Sequence, residues 1–593
     1  LGLSSTAWAQ VSPTGPGLPT GTGQQEEEDK PEGIAEAAPK TPGLLPTTPV
    51  LPAPKNRRKR WKLFELDGYY RVRTDWLKNL HLGFNDDPAE GGAPFPLALA
   101  CKVGGSQTSP KPCDDDVQGA NMRLRLNPTF NIDEGTSVFT QIDLLDNVVF
   151  GSTPESMRLD GAAGDPPLGP FDDTQAPPQA GVNSDRDSIV VRRAWAEVAL
   201  PLGILKFGRM PNHWGMGVMS NSGDEDPFNG GVDLDADYGD TVDRVSFSTI
   251  IPGTRLRGGI ASDWGSTRLI SNQTDVDRGG QPWDLDDNDD ANQWVLTMSR
   301  LDNPTVFKDT VARGEIAFNY GIYFGYRTQK WDHDTSEIVV GQPHDPAKYV
   351  QRGYKAYIFD PWMRAAYKQL QLELEGIAIL GGIDHLEDYG LTGRVTLRQY
   401  GGVARFTFTG LDDKLRLGME AGAASGDQYD GKSAAEGGRG HGDTHISNAN
   451  LVGAVGDSEI SRFIFDRDYK IDMILFRELI GAVTNAAYAR PFLSYELTKS
   501  IKMKVANITS FALKPVAMPG NEMLIGTEFN ADLGYTNGGF HAGIAYGVLF
   551  PLGAMNHPAD DPLDSGPGYG FGTTNVGDAG NAHTIQTRLV LSF

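Results

Sequence analysis

Arginines separated by a single residue recur in this chain. Arg71 and Arg73 sit in Tyr69-Tyr70-Arg71-Val72-Arg73, Arg123 and Arg125 alternate with Met122, Leu124 and Leu126, and Arg255 and Arg257 flank Leu256. In an extended backbone, residues two apart share a face, so each pair would present two guanidiniums side by side. A guanidinium keeps its charge and offers a planar fork that fits carboxylate or phosphate. A ring of them around water-filled space would favour anions. Arg193, Arg209, Arg244, Arg394, Arg398, Arg416 and Arg588 fall in the same register, but so do Asp75, Asp143, Glu197, Glu315, Glu373, Glu375 and Glu420. Two readings follow. Either the arginines pair across strands as a structural ladder, or Arg71, Arg73, Arg123, Arg125, Arg193, Arg209, Arg255 and Arg257 line an anion path.

Other residues raise metal and redox chemistry. Asp233, Asp235 and Asp237 begin as an EF-hand calcium loop begins, but the glycine falls at Gly239 and the closing position is Arg244, so that motif fails. Loosely bound Ca²⁺ in acidic loops is the remaining expectation, and no other cofactor is implied. His441 and His445 have metal-like spacing, yet they lie among glycines without the glutamate of a metalloprotease. No Gly-x-Ser-x-Gly nucleophile motif occurs, and the chain is read as a non-enzyme. Cys101 and Cys113, in a stretch rich in Gly, Pro and Asp with no histidine nearby, suit one loop disulfide in an oxidising compartment.

The element that must carry these residues is a β-strand long enough to cross a bilayer. In Leu524 to Phe550, Ile525, Thr527, Phe529, Ala531, Leu533 and Tyr535 alternate with Gly526, Glu528, Asn530, Asp532 and Gly534. The pattern resumes at Phe540, Ala542, Ile544, Tyr546, Val548 and Phe550 after Asn537-Gly538, the strongest short hairpin signal. Tyr535, Phe540 and Phe550 stand where aromatic girdles belong. No apolar run of about 18 residues exists, so helices do not cross a membrane here, and lipid would require a closed barrel. Glycine, at 72 residues, exceeds the usual share of ~7%, in keeping with tightly turned strands. The net charge of -24 argues against nucleic acid as a partner.

From Phe64 onward, short turns such as Pro201-Leu202-Gly203, Asp302 to Pro304 and Leu411-Asp412-Asp413 alternate with long loops near 150–186, 213–240, 426–485 and 551–582. That rhythm gives an all-β transmembrane antiparallel barrel of about 18 strands, or 16 on the shorter count. The segment Ile460 to Glu478 is more apolar than a surface loop, and suits either a constriction folded into the barrel mouth or a rim helix.

Three stretches carry family resemblance. The last arm, with Leu589, Leu591 and Phe593 at alternate positions, resembles the C-terminal strand by which the insertion machinery recognises bacterial outer-membrane proteins. The aromatic residue usual two before the end is missing. Residues Val190 to Gly217, including Phe207-Gly208-Arg209, resemble the hairpin of porin-type channels. Tyr488 to Leu552 is loosely similar to the alginate-export group of 18-stranded porins, and the layout resembles an uncharacterised family of large outer-membrane barrels. These likenesses imply a barrel in the outer membrane of a Gram-negative cell and do not identify a solute.

Residues 1–9, ending Ala7-Trp8-Ala9, resemble the end of a signal peptide. Residues 10–60 hold ten prolines before Lys55 and a basic end, and read as a disordered periplasmic tether. Residues 61–593 read as the barrel. The expected function is a porin-like channel for a polar, anionic solute or saccharide. The second expectation is a non-conducting barrel serving as an envelope scaffold through its acidic loops or tether. The expected partners are outer-membrane lipid, the insertion machinery and a periplasmic or envelope protein.

Overall fold

The computed structural model describes residues 62–84, 94–95, 102–103, 107–108, 115–149, 189–223, 239–265, 290–302, 304–333, 349–386, 393–427, 459–558 and 576–593. The strands that build the wall are β1 (Phe64–Lys78), β2 (Asp116–Asn131), β3 (Thr136–Val149), β4 (Ile189–Leu200), β5 (Gly203–Pro211) and β6 (Thr241–Ile250). They continue with β7 (Leu256–Gly265), β8 (Ala291–Arg300), β9 (Ala317–His333), β10 (Tyr349–Tyr367), β11 (Leu370–Ile383) and β12 (Val395–Gly410). The last six are β13 (Leu415–Ala424), β14 (Ala486–Glu496), β15 (Ile501–Ala512), β16 (Leu524–Asn537), β17 (Phe540–Pro551) and β18 (Ala582–Ser592).

Each wall strand pairs antiparallel with its sequence neighbours, and β1 pairs with both β2 (Tyr70↔Leu124) and β18 (Tyr70↔Leu591). The ring of 18 therefore closes. Closure leaves no strand edge with unpaired backbone groups, which is the condition for strands to cross hydrocarbon. The outward face carries Phe207, Ile260, Trp294, Leu296, Phe406, Phe529 and Ile544, large apolar side chains left exposed on the barrel surface. An apolar exterior on a closed antiparallel barrel makes this a transmembrane barrel of the bacterial outer membrane. No helix among the described residues is long and apolar enough to cross a membrane.

Short turns gather at the end of the barrel where β1 begins and β18 finishes, the periplasmic end in this class. One expected short turn is larger. Between β8 and β9 the chain makes a helix, α1 (Pro304–Ala312), whose proline at its first position lacks the N–H that would have no helical partner there. Glu315 consequently sits in this connection, paired with Arg313 at 3.2 Å, and not on an inward strand face.

The lumen holds the main apolar cluster. Leu80, Leu82 and Phe84 follow β1 into it, and Met216, Val218, Phe463, Phe465, Ile471, Ile474 and Leu475 fill it from two further connections. Inward wall residues Trp362, Ile377 and Val403 complete the packing. This cluster lies inside the barrel, so the alternating code sets apolar side chains toward lipid while the loops supply the interior core.

Candidate functional site in the barrel lumen

Most of the singled-out arginines are matched by carboxylates. Arg123 donates to Asp146 at 2.6 Å, and Arg125 grips both oxygens of Asp143 at 2.7 and 2.8 Å. Arg123, Asp143 and Asp146 are fully buried. Arg192 joins them, reaching Asp143 at 3.0 Å and also Asp146. A bulge opposite Gln141 and Ile142 turns Arg192 inward beside Arg193, which alternation alone does not reveal. Arg71 is buried directly across from Arg123, and Arg73 lies 3.2 Å from Asp75. Arg193 donates to the main-chain oxygen of Ser222 at 2.7 Å, tacking a lumen segment to the wall. On the β1–β4 side the ladder describes these residues. Charge pairs this dry owe their place to good geometry and complete pairing, because each ion alone would be costly to desolvate.

Four arginines read as inward do not line the lumen: Arg394, before β12 and 61% exposed, and Arg398, 58% exposed on the face of β12 opposite buried Val395 and Leu397, join Arg209 and Arg255. Arg209 points outward with Asp243, which it holds at 2.8 and 2.6 Å, and both are well exposed. It shares parity with outward Phe207, whereas Lys206 is the buried, inward neighbour. Arg255 lies in the turn before β7, 72% exposed and 3.7 Å from Asp302, so strand alternation never applied to it. Arg257 is on the inward register of β7, at its periplasmic end, and is partly buried. Cys101, Cys113, Asp233, Asp235 and Asp237, with His441 and His445, lie outside the described residues. Leu589 and Leu591 face outward on β18, and the main chain of Phe593 exchanges hydrogen bonds of 3.1 and 3.0 Å with Gly68 at the closing seam.

Two segments enter the lumen, and each hangs on a glutamate of the wall. Residues 212–223 leave β5 and turn inward. There Glu375 on β11 accepts the backbone N–H groups of Met216 and, at 3.1 Å, Val218. The Trp214 indole donates to the Asp360 carbonyl at 2.9 Å. Residues 459–485 do the same on the other side. Glu528 on β16 accepts from Met473 at 2.8 Å and from Ile474 and Leu475 at 3.0 Å. Asp472 accepts from Phe476 and Arg477, closing the turn that starts the short helical stretch Leu475–Leu479. A carboxylate that gathers two or three N–H groups satisfies donors that would otherwise be buried without a partner. Gly401 is required where the Phe463 ring lies flat on β12, since a Cβ there would collide with the ring. The apolar stretch Ile460 to Glu478 is thus a constriction inside the barrel and not a rim helix.

Beneath the second segment, toward the short turns, lies a cavity of about 510 Å³. Arg416 on β13, Arg490 on β14, Lys502 and Lys504 on β15 and Arg588 on β18 reach it from the wall, and Lys470 and Arg477 reach it from the inserted segment. Only three carboxylates, Asp468, Asp472 and Asp532, share the lining, and Asp532 is held by Arg588. Seven cations against three anions give the cavity a positive field, strengthened by its apolar neighbours Met473 and Phe492. Arg416 and Arg588 were on the inward register read from sequence. Lys502 and Lys504 carry the same spacing of two, a signal that a pattern of arginine pairs does not include. Among the described residues, no group of three or more His, Cys, Asp or Glu is placed to hold a metal ion.

No protein-family model matches the chain, and no curated protein matches it. Among solved structures, Pseudomonas aeruginosa OccK8 (OprE) is 7% identical with a TM-score of 0.41, covering 89% of this chain and 98% of its own. Acinetobacter baumannii OccAB3 is 9% identical with a TM-score of 0.41, covering 89% of this chain and 100% of its own. OmpT, an outer membrane protein of Vibrio cholerae, is 9% identical with a TM-score of 0.33, covering 89% of this chain and 97% of its own. The closed sheet itself, and none of these distant likenesses, makes this a porin-like outer-membrane barrel.

Proposed function

We propose that this barrel is a constricted channel that passes a polar, anionic solute or saccharide through its basic lumen. The observation that carries this reading is the excess of cations around the 510 Å³ cavity. In a water-filled lumen walled by low dielectric, such an excess concentrates anions and repels cations. Guanidinium and ammonium groups also replace part of the hydration shell that a carboxylate or phosphate leaves behind. The inserted segments would narrow the path above the cavity, so passage requires a small solute or movement of those segments. The outward apolar belt would contact outer-membrane lipid. The β18 face carrying Leu589, Leu591 and Phe593 would meet the insertion machinery, and residues 10–60 would offer a periplasmic partner its contact.

A planar-bilayer recording of the purified chain tests the reading. Conductance steps with anion preference across a salt gradient, diminished when Lys502 and Lys504 are both changed to glutamine, are the expected result. Cation preference would remove the basic cavity from the account. The two glutamate-pinned segments favour the second reading, a plugged barrel working as an envelope scaffold. That reading predicts no current from well-folded protein.

A further inference from the structure

The two lumen segments also touch one another, and they do so through carboxylates. Asp466 donates its N–H to the Val218 carbonyl at 2.8 Å, and its side chain accepts the Asn221 N–H at 3.3 Å and the Asp468 N–H at 2.8 Å. Asp468 accepts the Gly239 N–H. It is 2% exposed, and its other oxygen has no hydrogen-bond partner. Asp240, whose N–H donates to the Asn221 carbonyl at 2.6 Å, stands on the other side of the same residue whose N–H Asp466 accepts, next to the Gly239 that Asp468 holds, so the three carboxyls share one site. Carboxyls gathered into one buried site repel each other when all are charged, which favours keeping a proton there.

We propose that Asp240, Asp466 and Asp468 form a proton-operated clasp between the β5–β6 connection, through residues 212–223 and 239–240, and the segment 459–485, closed in acid and released toward neutral pH. The three carboxyls come from two connections separated by more than two hundred residues, so their protonation acts between segments and not within one. The facing cation is Arg193 on β4, whose guanidinium is already engaged with the Ser222 carbonyl and the Asp240 main chain. His213, on the first segment, accepts the Ser222 N–H through Nδ1 at 3.3 Å. With the proton lost, three negative charges would crowd one cation.

Burial pushes the Asp240 carboxyl up to about 6, with the Asp468 charge acting in the same direction and the Asp466 hydrogen bond and Arg193 opposing them. Asp466 is raised as well, first by burial and then by Asp240. The sign follows from linkage. The clasped form holds its proton more tightly than separated, solvated carboxyls would. Clasping is therefore fully favoured below the ordinary carboxylate range near ~4, weakens as pH rises toward about 6, and loses this support above it.

The clasp stands on its own geometry, while its effect on current rests on the channel reading, so the test has two readouts. Amide hydrogen exchange is followed in the full chain in micelles for wild type, Asp240→Asn and Asp466→Asn. Proteins are compared at the same pH so that intrinsic exchange cancels. Asparagine mimics the protonated, neutral state. At neutral pH the wild type should exchange about tenfold faster than either variant over residues 213–222 and 463–471, and near pH ~4 the difference should vanish. Equal exchange in all three proteins at both pH values would overturn the clasp. If Asp466→Asn does not fold, Asp240→Asn carries the comparison. In parallel bilayer recordings, wild-type current should rise with pH and variant current should stay low. The exchange difference without any current would keep the clasp and refute the channel.

Discussion

The wall from β1 to β4 and the wall from β13 to β18 both carry arginines at inward positions, and they use them differently. In the first, Arg123, Arg125 and Arg192 converge on Asp143 and Asp146, which are wholly buried. In the second, Arg416, Arg490 and Arg588 stand with three lysines of wall and loop around open volume, and carboxylates are outnumbered. Both stretches show basic residues at spacing two, so spacing alone does not separate a structural ladder from a solute path. What separates them is the number of carboxylates that facing strands bring to the same height.

The comparison can be broken first at its driest point. Asp143→Asn removes the charge shared by Arg123, Arg125 and Arg192 and leaves buried guanidiniums poorly matched. It should destabilise the folded barrel by about 3–5 kcal/mol in denaturant titrations in micelles, without altering ion selectivity in whatever fraction folds. A loss below ~1 kcal/mol would mean that the ladder is dispensable.

Glu528→Gln addresses the segment that roofs the cavity of the second wall. The amide offers one neutral acceptor oxygen where the carboxylate serves three backbone N–H groups, so the segment 459–485 should loosen at a cost of about 1–3 kcal/mol. The readout is faster amide exchange at Met473, Ile474 and Leu475, with larger current steps. Unchanged exchange there would show that packing of Phe463, Ile474 and Leu475 holds the segment without the pin.

Replacing Lys502 and Lys504 together should do the reverse of Asp143→Asn. Anion preference should fall several-fold while stability moves by less than ~1 kcal/mol, because the two ammoniums line open, solvent-filled volume where any pairing is screened. The smallest effect belongs to Arg209→Gln with Asp243→Asn. This outward pair near the wide-loop end should change stability by ~0–1 kcal/mol and leave selectivity alone.

What the sequence disclosed follows from how local each signal is. The hairpin from Leu524 to Phe550 was legible because period-two alternation and the Asn537-Gly538 turn are contained in the stretch itself, and the strands found there are Leu524–Asn537 and Phe540–Pro551. The connection placed near 213–240 lies between Pro211 and Thr241 for the same reason. The constriction showed only as an apolar excess in Ile460 to Glu478, since its place depends on a glutamate more than fifty residues away. Glu375 as a pin for Met216 could not be read at all, because its partners lie 157 and 159 residues distant in sequence. Arg192 was hidden by a bulge that breaks alternation, and Arg209 was misread although outward Phe207 shares its parity.

The most direct test of the central claim is the reversal potential of the purified chain in a planar bilayer across a salt gradient. The basic cavity predicts current steps whose reversal lies toward the anion equilibrium potential, shifting back when Lys502 and Lys504 are neutralised. Reversal toward the cation potential, or selectivity indifferent to those two lysines, would contradict it.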